Sequence, residues 1–371
     1  MNLNRRNLIL LLVALGLAVP TTLQLRGEVD DFVDVGRIPP MFDGFTADNV
    51  ARILLARPKD EQPPPPANVD PDQPQRIAYD FLAMQRSEQG WAVAPVPGQA
   101  AGELVGAPVS KVRVEADVLY HLANVPDDEG TLVQPAATEA QLREFGLDDQ
   151  HAFVMRATSA NNTVLAELLV GKDSGTGQVG TEAVRGVFVR KGGSADVVLY
   201  EWQKPWRRDV QIDGWLERTM LRLDPTKIRK LSIRNASTGG KPFVFVRPGT
   251  QASWQLDPPR DEVGAVRQAE VEALVQQRLS YLSVERYVRP LSRAGDMAAL
   301  GLFPPQIEVL LTVVEDGEEK QIELAVGNPL PGSNECYLTC SESEFLMTWS
   351  ASSVVAFDLD VARRMFDPKG Q

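Results

Sequence analysis

Two histidines, His121 and His151, and two cysteines, Cys336 and Cys340, are all that the 371-residue chain has of the side chains best suited to transition metals. A zinc site needs more ligands than that in reach of one another, so metal and thiol chemistry have little to build on. Cys336 and Cys340 stand four residues apart. On an extended strand that is about 13 Å, too far for a disulfide, and two buried free thiols are expected. Basic charge is also short. The 38 Lys and Arg against 50 Asp and Glu leave a formal net charge of −12. Phosphate backbones require the opposite sign, which excludes nucleic acid as a partner. Catalytic signatures are missing too: no Gly-x-Ser-x-Gly and no His-Glu-x-x-His occurs. Gly171-Lys172-Asp173 does not make a phosphate loop. Val170 precedes it, Asp173 stands where a hydroxyl residue is needed, and Gly175 and Gly177 follow instead of leading. The sequence gives no catalytic, cofactor or metal residue, no nucleotide site, and a non-enzymatic role is expected. Carboxylate pairs such as Asp127-Asp128 and Asp148-Asp149 fall in Gly- and Pro-bounded loops, where solvated turns explain them.

What is present begins with an apolar run. Arg5 and Arg6 precede uncharged residues from Asn7 to Leu25, and Glu28, Asp30, Asp31 and Asp34 crowd the far side. A bilayer needs roughly 20 apolar residues, and positive flanks stay cytoplasmic. The expectation is a cytoplasmic stub (1–7), a single-pass anchor (8–25) in the cytoplasmic membrane, and the bulk of the chain outside it, in the periplasm. Two alternatives stay open: a cleaved signal peptide, for which Pro20-Thr21-Thr22 is a poor site, and a twin-arginine signal at Arg5-Arg6.

The remainder reads as two tandem copies of one α+β unit, each an antiparallel sheet with helices against it: 42–205 and 221–366, joined by a helix at 206–220. Asp48 to Leu55 and Asp224 to Ile233 each lead from an acidic turn into a strand of alternating polarity. Phe81–Arg86 before Gly90-Trp91 matches Phe243–Arg247 before Trp254. A helix follows, with Val118, Leu119 and Leu122 in copy one and Val271, Leu274, Val275, Leu279 and Leu282 in copy two. Phe145-Gly146-Leu147 parallels Leu300-Gly301-Leu302 ahead of a strand pair that closes in Val170-Gly171 or Val326-Gly327. Short turns between successive strands require antiparallel pairing. Copy one also carries a Pro-rich insertion (58–74), with four prolines at 63 to 66, a stiff surface loop.

An anchor, an acidic turn, Gly90-Trp91, a helix, Gly146-Leu147 and the closing Val170-Gly171-Lys172 together resemble the bacterial domain-of-unknown-function family DUF4340. Leu216 to Pro225 carries the same resemblance between the copies. The departures are the Pro-rich insertion and Asn328, which stands where copy two would have lysine. The resemblance implies an extracytoplasmic accessory of an ABC transporter or gliding-motility-like complex, with an ABC-2-type permease and its auxiliary subunits as partners. It implies no catalytic residue.

One cluster invites a binding hypothesis: Trp202, Trp206, Arg207 and Arg208, with Trp215 following. Trp and Arg dominate interface hot spots, and both suit a headgroup region. The alternative is that these tryptophans pack the joint between the copies. The leading function is therefore a membrane-anchored accessory or scaffold. The other readings are a cell-wall or polysaccharide-binding or processing protein, and a purely structural envelope spacer.

Overall fold

A computed structural model describes residues 40–60, 77–126, 132–174, 177–179, 182–184, 186–201, 207–235, 238–250, 252–260, 263–358 and 360–368. The expected anchor and most of the Pro-rich insertion lie outside these. Among the described residues no helix is long and apolar enough to cross a membrane. The chain divides into two compact units. One comprises Met1–Val50, Asp60–Ala78 and Asp117–Arg207, the other Ala51–Lys59, Tyr79–Ala116 and Arg208–Gln371. Sheet dominates both, with a few short helices, so the α+β expectation holds at that level.

The second unit opens with β1 (Arg52–Pro58), β2 (Tyr79–Ser87), β3 (Gly90–Ala94) and β4 (Pro108–Val109), antiparallel in the order β4-β3-β2-β1. Ile53 and Leu55 are fully buried on the inner face of β1, as its alternation requires. The stretch after β4 is helical: α1 (Lys111–Val114), a π turn (Glu115–Leu119) and α2 (Tyr120–Asn124). Val118, Leu119 and Leu122 are buried, as expected.

In the first unit the strands are β5 (Leu132–Gln134), β6 (Phe153–Thr158), β7 (Val164–Asp173), β8 (Gly177–Val179), β9 (Glu182–Val184), β10 (Gly186–Lys191) and β11 (Val197–Glu201). They run antiparallel in the order β6-β7-β10-β11-β5, with β8 and β9 a separate hairpin. Helix α3 (Glu139–Phe145) starts at a capping box between Thr138 and Gln141 and stops at Gly146, whose φ of 69° only glycine adopts freely. That turn drops Leu147 into a core cluster with Ala137, Ala152, Leu169 and Val197. Full burial of one such leucine contributes about 2 kcal/mol.

The second unit resumes with β12 (Thr219–Arg222), β13 (Ile228–Arg234), β14 (Phe243–Val246), β15 (Gln255–Leu256), α4 (Gln268–Leu274), β16 (Tyr281–Ser283), β17 (Arg286–Pro290), β18 (Ile307–Glu315), β19 (Glu318–Pro329), β20 (Glu335–Cys340) and β21 (Phe345–Ser350). An eight-stranded sheet follows the order β15-β14-β13-β18-β19-β20-β21-β17, and β12 pairs with β16. The β18–β19 hairpin turns at Asp316 and Gly317, both at positive φ, the geometry a two-residue turn needs. Helices α5 (Ala351–Asp358) and α6 (Val361–Met365) follow. Leu302 repeats the role of Leu147, packed with Ala294, Ala325 and Leu346.

Two expectations are corrected. The segment 206–220 is not a helix over its described residues: it holds a 3-10 turn, Ile212–Gly214, and then enters β12. Gly214 and the Asp209 side chain, which accepts from the Gln211 N–H at 2.7 Å, favour a turn over a continuing helix. The helix expected to reach Leu282 ends earlier. After α4 it becomes a π turn, Val275–Leu279, and Leu282 belongs to β16.

Candidate functional site

The resemblance-bearing motifs have a local structural explanation. A methyl on Gly171 falls 2.3 Å from the Phe145 carbonyl oxygen and 2.9 Å from Leu147 Cγ. A methyl on Gly327 falls 2.3 Å from the Leu300 oxygen and 3.0 Å from Leu302 Cγ. The Gly-Leu turn and the Val-Gly strand are thus two sides of one close contact that excludes a side chain. Lys172 Nζ donates to the Glu144 carbonyl at 3.0 Å, closing the C-terminus of α3. Asn328 Nδ2 donates to the Ala299 carbonyl at 3.1 Å. The asparagine that departs from the family pattern therefore supplies the same kind of cap. These residues hold a turn.

Within the second unit, residues 208–215 form a pinned turn. The Trp215 indole N–H donates to the Asp209 carbonyl at 2.8 Å, and the Trp215 carbonyl accepts from Ser110 N–H at 2.8 Å. Leu216 bridges Val109, and Glu217 N–H donates to the Pro108 carbonyl at 2.9 Å. This fixes Val210 and Ile212 as one wall of a cleft of about 270 Å³. Phe81, Leu82 and Ala83 of β2 line another side, and Val96 and Leu104 come from the loop after β3. No titratable side chain is among its described lining residues, and Gln99 is the one polar side chain there. Consecutive residues of a strand point to opposite faces. A cleft touched by 81, 82 and 83 together therefore looks onto β2 edge-on, where main-chain N–H and C=O groups are presented.

Of the residues expected to bind a partner, Trp202 and Trp206 lie outside the described residues. Arg207 ends the first unit and Arg208 begins the last segment of the second, both half-buried. Trp215 is 0% exposed, a core residue with its N–H satisfied, so it presents no surface to a partner. Trp215 is a packing residue within the second unit. The cleft was not anticipated from sequence. Its signal was Pro95, which follows the last residue of β3 and whose ring fixes φ away from the extended strand value.

Other polar clusters are structural. Arg247, 4% exposed, donates to Glu272 Oε1 and to the Ile228 carbonyl, each at 2.9 Å, and lies 4.6 Å from the Trp254 ring centroid. Buried Asp148 accepts from Arg143 at 3.3 Å and contacts His151 Nδ1 at 2.6 Å, tying together the turn ahead of β6. His121 sits edge-on to Tyr200, and burial holds its pKa down at about 4. Cys336 and Cys340 are buried, unbridged thiols on β20, and burial pushes the Cys340 thiol up to about 11. Among the described residues no group of three or more His, Cys, Asp or Glu is arranged to hold a metal ion.

No curated protein and no solved structure matches the chain. A family model, the domain of unknown function DUF4340, matches residues 64–305, a span that takes in the β2–β3 hairpin, the pinned turn and the Gly-Leu turn of each half. With more than half of its length matched, the chain belongs to the DUF4340 family.

Proposed function

We propose that this protein is a non-enzymatic binding subunit, held at the cytoplasmic membrane by residues 8–25 with its body outside, that serves an ABC-2-type transport or gliding-motility-like complex. The observation that carries the binding role is the cleft. The Trp215-pinned turn holds Val210 and Ile212 against the edge of β2, and the walls are apolar side chains and main chain, without an acid, a base or a nucleophile among the described lining residues. Such a surface recognises by shape and hydrogen bonding. The choice of an ABC-type complex rests on the family resemblance, and the anchor rests on the charge and length of the N-terminal run.

We read the chain as two copies of one unit, a scaffold with duplicated parts. In each half a helical segment passes into a π turn (Glu115–Leu119, Val275–Leu279), and a Gly-Leu turn packs on a strand glycine with a capping side chain beside it.

The test is crosslinking of the native protein in intact membranes, followed by affinity purification and mass spectrometry. Recovery of a permease with its ATPase is the expected result. Recovery of wall enzymes or glycan alone overturns the reading in favour of a polysaccharide-directed role.

A further inference from the structure

Strand β2 is longer than the strand beside it. Its residues Ala83–Ser87 pair with β3, whereas Phe81 pairs only on the other side, with Ala56 of β1. Two bonds fix which main-chain groups face outward. Arg86 N–H donates to the Ala51 carbonyl, so even-numbered β2 residues turn toward β1. Val93 donates to Ala107 and accepts from Gly106, each at 2.9 Å, so Val93 faces away from β2, and Ala92 and Ala94 face toward it. Both place Gln85, Ala83 and Phe81 toward β3, because both main-chain groups of one strand residue point to the same side. Ala83 meets Ala94; the next outward residue, Phe81, faces the cleft beyond Pro95. Among the described residues no strand pairs with that edge.

We propose that the cleft is a slot for an extended, uncharged segment of a partner protein, which pairs with the Phe81 main chain in the line of β3 and packs its side chains on Val96, Leu104, Val210 and Ile212. The inference rests on the binding-subunit reading and names the kind of partner. A strand edge with an apolar floor is what β-strand addition uses: main-chain bonds hold the segment, and side-chain wells select it. An acyl chain fits the apolar walls but leaves the Phe81 N–H and C=O unanswered. Charge at the docked residues is disfavoured because the described walls offer no counter-charge.

The experiment pans the purified full-length protein in detergent against a displayed library of random short peptides, with dodecanoate as the lipid probe. Gly102 lines the cleft, and a side chain built there meets no atom within 4 Å, so Gly102→Trp obstructs the slot without forcing the backbone. Gly249 has the same freedom outside the lining, and Gly249→Trp is the control. Enriched peptides with alternating apolar residues are expected, bound about tenfold or more weakly by Gly102→Trp and unchanged by Gly249→Trp. Phe81→Pro removes the outward N–H and Phe81→Ala keeps it, so Phe81→Pro loses more. Equal loss in that pair, unchanged binding by Gly102→Trp, no enriched peptide, or dodecanoate binding without peptide binding each overturns the proposal. Membrane crosslinking separates the two levels. If the permease is still recovered with Gly102→Trp, the slot is wrong and the binding-subunit reading stands; if wild type recovers no permease, that reading fails.

Discussion

Replacing Gly327 with alanine tests whether the Val-Gly motif exists for close approach. The new methyl carbon lies 2.3 Å from the Leu300 carbonyl oxygen, and an ordinary carbon–oxygen contact is about 3.3 Å. One side must therefore yield by roughly 1 Å. Overpacking of that kind costs about 1–3 kcal/mol. The same carbonyl accepts the Asn328 N–H at 2.8 Å, so moving it also weakens a hydrogen bond of about 1 kcal/mol. The total is about 2–4 kcal/mol. At a slope of about 2 kcal/mol/M, the urea midpoint falls by roughly 1–2 M. Unfolding followed by the fluorescence of buried Trp349 reports on the same unit. Gly249→Ala is the matched control, since nothing lies within 4 Å of its added methyl; it should leave the midpoint unchanged or raise it slightly. Equal midpoints for the two variants would refute the close-approach argument and return the motif to unexplained status.

Other outcomes follow from the same geometry. Lys172→Ala and Asn328→Ala should each cost about 0.5–1 kcal/mol by removing a cap to a carbonyl at the surface, and Asn328→Lys should cost less than Asn328→Ala in the same denaturation assay. Arg247→Met leaves two carbonyls without their donor and takes one of three donors from the Glu272 carboxylate, which keeps Trp254 and Gln276, and should destabilise by about 2 kcal/mol, whereas Arg363→Met, at a side chain 88% exposed, should change stability by under about 0.5 kcal/mol. His121 takes a proton at the ordinary imidazole pH when unfolded but only near 4 when folded. The unfolded state therefore binds more protons between those values, and stability falls as pH drops through that window. From pH 7 to pH 5 the loss is about 2 kcal/mol, and His121→Phe should remove that share of the pH dependence of the urea midpoint.

The strands were legible where apolar residues alternate. Leu231 and Ile233 do so on β13, while Ile228 lies beyond a register irregularity, and β6, β7, β18 and β19 stand where the apolar runs place them. The Gly-Leu and Val-Gly pairs were legible as repeated words, but not as one contact, since nothing in sequence says that Phe145 O approaches Gly171. The π turns were invisible: Val271, Leu274, Val275 and Leu279 satisfy helical spacing whether or not one turn is widened. The linker was misread because its charge suggested a helix, while the structure uses Trp215 in a buried bond to Asp209. The cleft depends on a mismatch in length between β2 and β3, a property of pairing, and Pro95 alone hinted at it.

The bond from Ser110 to Trp215 has a consequence for how the chain can be divided. The second unit gathers Ala51–Lys59 and Tyr79–Ala116 with everything from Arg208 onward. Early-made strands thus share a frame with a tryptophan synthesised about a hundred residues later, and closing a loop of that length costs roughly 4 kcal/mol in chain entropy. Burial of the indole and its hydrogen bonds are the local terms that offset the closure. A cut at 206–207 would therefore divide the second unit between two fragments that must find each other, behaving as a split protein that complements in trans.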